Sequence, residues 1–135
     1  MTFILADPIR GATAASLGSA GGGLGFSGIP GVAVGLVTFT QANPSANFVG
    51  ISNGGTSGNS PNWLVTSSTV PPLRTAPRHI QVVVTSGSMT VSVDGVQVLS
   101  QAVTLPPNVL VGFSGGTGGL FDLHAVSNVS IISTP

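Results

Sequence analysis

The sequence predicts an all-β domain of antiparallel strands packed as a sandwich, on three observations. Glycine and proline supply 20 and 10 of the 135 residues while hydrophobic residues make up 41%, the mixture expected of many short strands joined by tight turns. Apolar side chains alternate with period two in several short runs, and no stretch stands out with the period of a helix. Between two of those runs stands Asp94-Gly95, a dipeptide that favours the two-residue turn of a β-hairpin. A chain of this length buries about two thirds of its unfolded surface, enough for one core. Residues 1–135 therefore read as a single domain, without internal repeats.

Taken in order, residues 2–5 form a strand that Asp7-Pro8 ends, because proline donates no hydrogen bond and restricts its neighbour. Residues 9–20 are a loop of small side chains with a short turn at 14–17. The stretch 21–51 organises the rest: a glycine-rich turn feeds a strand at 32–39, a loop containing Asn43-Pro44 follows, and a second apolar strand runs over 48–51. In the first strand Val32, Val34, Leu36 and Thr38 share one face and Ala33, Gly35, Val37 and Phe39 the other. Both faces are apolar, so both should be covered. Residues 53–62 form a polar, glycine-rich excursion before a short strand at 63–65 that carries Trp63, the lone tryptophan, read as a core residue or edge filler.

Pro71-Pro72 opens a connection through Arg74 and Arg78 to His79, at a strand entrance. Residues 81–85, a Ser86-Gly87-Ser88 turn, 89–93, the Asp94-Gly95 turn and 96–99 make a three-stranded meander. Met89, Val91 and Val93 share one face of its middle strand, with Thr90 and Ser92 on the other, as in a half-exposed sheet. Leu105-Pro106-Pro107 leads to a strand at 109–113, and a strand at 125–132 closes the chain.

Charge is nearly absent: three arginines, three aspartates, no lysine and no glutamate, 4% of residues, with a net charge of zero. Without charge repulsion, copies of such a chain are free to associate, so a homo-oligomer or fibre is expected. With no basic patch, nucleic acid is excluded as a partner. No apolar run reaches the roughly eighteen residues of a membrane helix, and none follows a basic N-terminal region, so neither membrane insertion nor an export signal within the chain is expected. A surface rich in Ser, Thr, Asn and Gly predicts an extracellular or cell-surface protein. Cysteine is absent, which removes disulfides and thiolate metal sites.

Catalysis is not expected. Asp7, Asp94 and Asp122 stand in three separate turn-like contexts, so the paired carboxylates of a glycosidase are missing, and no serine stands in a Gly-x-Ser-x-Gly elbow. Asp122 and His124, two apart on an expected strand, would share a face as a hydrogen-bonded pair, too few groups for a zinc site.

The order of glycine-rich loop, Gly28-Ile29-Pro30, Val32-Ala33-Val34 strand, Asn43-Pro44 loop and Val49-Gly50-Ile51 strand resembles the legume-type (L-type) lectins, especially the lectin-like domains of secreted bacterial proteins. Residues 111–119, Val-Gly-Phe-Ser-Gly-Gly-Thr-Gly-Gly, continue the likeness. The resemblance implies a concanavalin A-like, antiparallel jelly-roll sandwich that lacks the family's N-terminal strands, with exposed edges that need covering. It also implies where a metal pair would sit. Gly35 and Val37 take the place of its acidic strand residues, Gln41 of an asparagine, Asn43 of the loop aspartate and Phe48 of the histidine. With those ligands gone, no metal and no cofactor are expected, since hard cations need several oxygens.

The carbohydrate-binding residues the resemblance assigns are Gly22, Gly23, Gln41, Asn43, Gly118, Gly119, Leu120 and Asp122. The same glycines are also what turn geometry alone requires. The expected function is a non-catalytic, metal-independent, self-associating lectin-like module that binds a glycan. The alternative is a structural subunit of an extracellular oligomer or fibre without sugar binding, in which the face of Ala33, Val37 and Phe39 forms the contact.

Overall fold

The computed structural model describes residues 1–40, 43–54 and 60–134. It is all-β, with eight strands in two antiparallel sheets, as the alternation and turn residues predict. The strands are β1 (Thr2–Ala6), β2 (Gly31–Val37), β3 (Phe48–Ser52), β4 (Trp63–Ser67), β5 (Ile80–Thr85), β6 (Ser88–Val93), β7 (Val96–Ala102) and β8 (Leu110–Ser114). The larger sheet has the order β4-β3-β2-β1-β8 and the smaller β5-β6-β7. The smaller sheet is the meander foreseen from its turns. Ser86 and Gly87 have φ of 49° and 78°, Asp94 and Gly95 of 49° and 83°, the pair of positive values that a type I′ hairpin demands.

The two sheets pack face to face, with β7 against β3 and β4. Between them lies the main core: Leu5, Val32, Val34, Val49 and Ile51 from the larger sheet meet Met89, Val91, Val93 and Leu99 from the smaller. These are one alternating set per strand, so the half-exposed meander points Met89, Val91 and Val93 inward as expected.

The opposite face of the larger sheet is covered too, by the protein's own chain. The segment 7–30 folds across it and packs Ala12, Phe26 and Ile29 on Ile4, Ala6 and Ala33, and Leu24 on Val37 and Phe48. Asp7 starts this layer: its Oδ1 accepts from the amides of Ile9 and Arg10 at 2.9 and 3.2 Å, turning the chain back beneath β1. Strand β2 is thus buried on both faces, which explains its unbroken apolar run. The same fact corrects the expectation that Ala33, Val37 and Phe39 form a contact between subunits. Ala33 and Val37 are only 1% and 2% exposed beneath the segment 7–30, and Phe39 lies past the end of the strand.

The expected closing strand at 125–132 is also corrected. Those residues carry a strand-like sequence but no ladder, and residues 125–134 make no hydrogen bond to any described residue. Asn128, at φ 52°, bends the run. A strand exists only through a paired neighbour, and alternation alone does not supply one.

Candidate functional site

The residues singled out from the sequence gather at one end of the sandwich, where β2 and β8 finish. The chain enters through a single 3-10 turn, Gly21–Gly23, in which the Gly23 amide donates to the Ala20 carbonyl and the Leu24 amide to the Gly21 carbonyl before Leu24 drops into the core beside Val37 and Phe48. Residues 115–122 leave β8 and run over this turn. The Gly21 amide donates to the Thr117 carbonyl at 3.1 Å. Gly116 lies so close to it that an added Cβ would stand 2.9 Å from the Gly21 carbonyl oxygen and 3.0 Å from the Leu24 Cα, a separation only glycine allows. Ser114 fixes the base of the loop by donating to the Leu24 carbonyl at 2.8 Å and sharing a hydrogen bond with Thr2 at 2.6 Å.

Asp122 anchors the far end. Its Oδ2 accepts from Thr38 Oγ1 at 3.1 Å and pairs with Arg74 Nε at 3.1 Å, and its Oδ1 accepts from the Leu123 amide at 3.0 Å. Burial pushes this carboxyl up, but the Thr38 hydroxyl, the Arg74 guanidinium, the Leu123 amide and nearby His124 together hold it below the usual value. The expected Asp122–His124 pair is not formed. With no strand there, the two side chains do not project in parallel; Asp122 turns to Thr38 and Arg74, while the buried His124 Nε2 has no hydrogen-bond partner. Burial also holds the His124 imidazole below its ordinary value, outweighing the opposite pull of Asp122.

Asn43 sits in the same region and is occupied with structure. Its amide nitrogen donates to the Phe39 carbonyl at 3.0 Å, and its Oδ1 accepts from Trp63 Nε1 at 3.3 Å. Trp63 in turn meets Phe48 edge-on, ring centroids 5.3 Å apart, so the indole, on the edge strand β4, packs against the cluster of Leu24, Val37 and Phe48. Gln41, the remaining expected site residue, lies outside the described residues.

The loops therefore bring together Gly22, Gly23, Asn43, Gly118, Gly119, Leu120 and Asp122 at one end. The surface they make is open. Among the described residues the Gly22 and Gly119 amides carry no hydrogen bond, and Leu120 and Phe121 stand in solvent. Two backbone donors beside an apolar platform can engage the hydroxyls and the C–H face of a small polar ligand. Thr38 and Arg74 complete the arrangement; neither carried a signal in the sequence, since they meet Asp122 only through the fold.

Two concavities of the described surface lie elsewhere. One, of about 690 Å³, is lined by Arg10, Asn53, Asn62, Leu64 and Thr104 among others, and another, of about 390 Å³, by residues 68–71 with Val93, Asp94, Val96 and Val98. Among the described residues no three His, Asp or Glu side chains stand close enough to share a metal ion. The chain matches no protein-family model, no curated protein and no solved structure.

Proposed function

We propose that this chain is a non-catalytic, extracellular, self-associating module with a concanavalin A-like jelly-roll ancestry that binds a glycan without metal. The observation that carries the reading is the hydrogen bond between the Gly21 amide and the Thr117 carbonyl, 3.1 Å long, which joins two glycine-rich loops distant in sequence at the place the lectin resemblance assigns to a sugar. Around it, the unspent amides of Gly22 and Gly119 suit sugar hydroxyls, and Leu120 and Phe121 suit the apolar face of a pyranose ring. Such a site is a shallow platform in place of a concave polar pocket, and weak, multivalent binding by an assembled protein fits it.

A glycan array tests this reading directly. Saturable binding that survives chelator and is lost in Gly116→Val, which forces the two loops apart, is the expected result. An array on which no neutral glycan binds at any protein concentration sinks the proposal.

The second reading, a structural subunit without sugar binding, is favoured by the surface on the side of β8. Val111, Phe113, Leu120, Phe121, Leu123, Ile131 and Ile132 are all exposed there or in the tail that follows, with hardly a charge among them.

A further inference from the structure

We infer that the segment 125–134 is a donor strand that a second copy of this chain accepts into the open side of its sandwich. The inference rests on the self-association part of the proposed function and is independent of any sugar.

The acceptor is an opening between the two sheets. Strand β7 packs on β3 and β4, so β5, at the other margin of the smaller sheet, lies toward β1 and β8. Among the described residues, nothing pairs with the outer edge of β5 or of β8. Their inward positions follow from register: Val84 is opposite the buried Met89, Val111 opposite Leu5 and Phe113 opposite Phe3. These side chains face the core, yet Val84, Val111 and Phe113 remain 40%, 41% and 43% exposed. The core is therefore unsealed along this side. Natural edge strands are guarded by lysine, proline or a bulge, and neither Ile80–Thr85 nor Leu110–Ser114 has any of these.

The donor is carried by the same chain. Residues 125–134 contain no charged side chain, make no hydrogen bond to any described residue and hold Val126, Val129, Ile131 and Ile132 in solvent. An edge strand with unspent amides and carbonyls next to an apolar opening is complementary to an unpaired apolar strand, through main-chain ladders and alternate side chains. In an inserted strand alternate side chains enter the opening, Val129 and Ile131 on one face or Val126 and Ile132 on the other, beside Val84, Val111 and Phe113, and a reciprocal exchange that uses both tails doubles the area covered. A pair of copies that exchange tails is the smallest assembly that leaves no tail unpaired.

Light scattering on the full chain, on Val129→Asp/Ile131→Asp and on Phe113→Asp tests it. Because Val129 and Ile131 are 52% and 59% exposed and bonded to nothing described, the double substitution leaves the fold intact, which circular dichroism and the melting midpoint verify. The expected results are a dimer or larger particle for the full chain and a folded monomer for Val129→Asp/Ile131→Asp. A synthetic peptide of residues 124–135 then binds that monomer, with amide shifts confined to β5 and β8, and does not bind Phe113→Asp. A monomeric full chain overturns both the inference and the self-association it rests on. An oligomer that persists in the double variant, or a peptide that shifts other strands, overturns the donor strand alone and leaves self-association standing.

Discussion

Thr38 Oγ1 donates a hydrogen bond of 3.1 Å to Asp122 Oδ2 across 84 residues of chain, tying the residue that follows β2 to the far end of the loop that leaves β8. Arg74 reaches the same oxygen at 3.1 Å, so one carboxylate gathers three separate segments. Asp122→Ala removes both partners at once. The expected cost is modest, about 1 kcal/mol or less, because the Arg74 side chain is largely in solvent. The local effect is larger: the bonded amides at this end, those of Gly21, Gly118 and Leu123, should exchange with solvent faster while those of β2 and β6 keep their protection. Hydrogen exchange by mass spectrometry reads this, and uniform acceleration across all strands contradicts a local anchor.

Acid should unfold the protein through few groups, since the chain has three aspartates and no glutamate. Asp94 accepts from the His79 amide at 2.9 Å and from Arg78 Nη1 at 3.1 Å, and Arg78 also donates to the Pro72 carbonyl at 2.8 Å. The His79 amide, against a smaller opposing effect of burial and with help from Arg78, holds the Asp94 carboxyl below its usual 3.8. A carboxyl depressed in the folded state stabilises it fully above the unfolded value and loses that contribution as pH falls through the folded one. Asp122, depressed as well, acts in the same direction. The melting midpoint should therefore fall below about pH 4, with that fall reduced in Asp94→Asn. A separate decline should appear as pH drops from 8.0 to about 6, because burial lowers the Met1 ammonium to about 6 and holds His124 below its ordinary value, so protonating either opposes folding. A midpoint that rises on acidification contradicts the sign.

Val37→Asp tests the covering of β2. Were this face a contact between subunits, an aspartate there would disperse an assembly and leave folded monomers. Val37 is instead packed against Leu24, Phe48 and Trp63 within one chain. An unpaired carboxylate at that site should cost on the order of 3–5 kcal/mol. Val37→Ala should cost about 2 kcal/mol through the cavity alone. Denaturant titration separates the cases: a folded, fully stable Val37→Asp monomer is incompatible with the burial of this face.

Most of the sandwich was legible because strands and hairpins leave local marks. Asp94-Gly95 and Ser86-Gly87 set the meander, and the doubly apolar run of residues 32–39 announced a strand with cover on both sides. What covers it was not legible. The segment 7–30 has small residues and no periodicity, and only the fold shows Phe26 and Leu24 turned inward. The strand at 125–132 failed for the complementary reason: alternation reports a tendency, and pairing needs a neighbour elsewhere in the chain. At the candidate site, the glycine loops were found through resemblance, whereas Thr38 and Arg74 are surface residues of common type whose meeting at Asp122 no local pattern encodes.

Trp63 gives a spectroscopic handle on the layer beneath the site. As the single tryptophan, it reports one environment. Its indole lies flat over two glycines that pair across β2 and β3: a Cβ at Gly50 would stand 2.5 Å from Trp63 Cε3, and one at Gly35 2.5 Å from Cη2. Neither position tolerates a methyl group while the ring stays where it is. In Gly50→Ala the indole must swing outward, giving up its edge-on packing on Phe48 and its hydrogen bond to Asn43. Overpacking of this kind costs roughly 1–3 kcal/mol, part of which the lower chain entropy of alanine offsets. Emission should shift to the red and the midpoint should fall. Asn43→Ala, which removes only the indole's acceptor, should leave the ring seated and shift emission little. Because Trp63 packs with Leu24, Phe48 and Val37 under the 3-10 turn, glycan binding should weaken in Gly50→Ala although no residue of the loops has changed. Unchanged emission with a raised midpoint would mean that the ring yields without cost, and the platform above it would then owe nothing to the tryptophan.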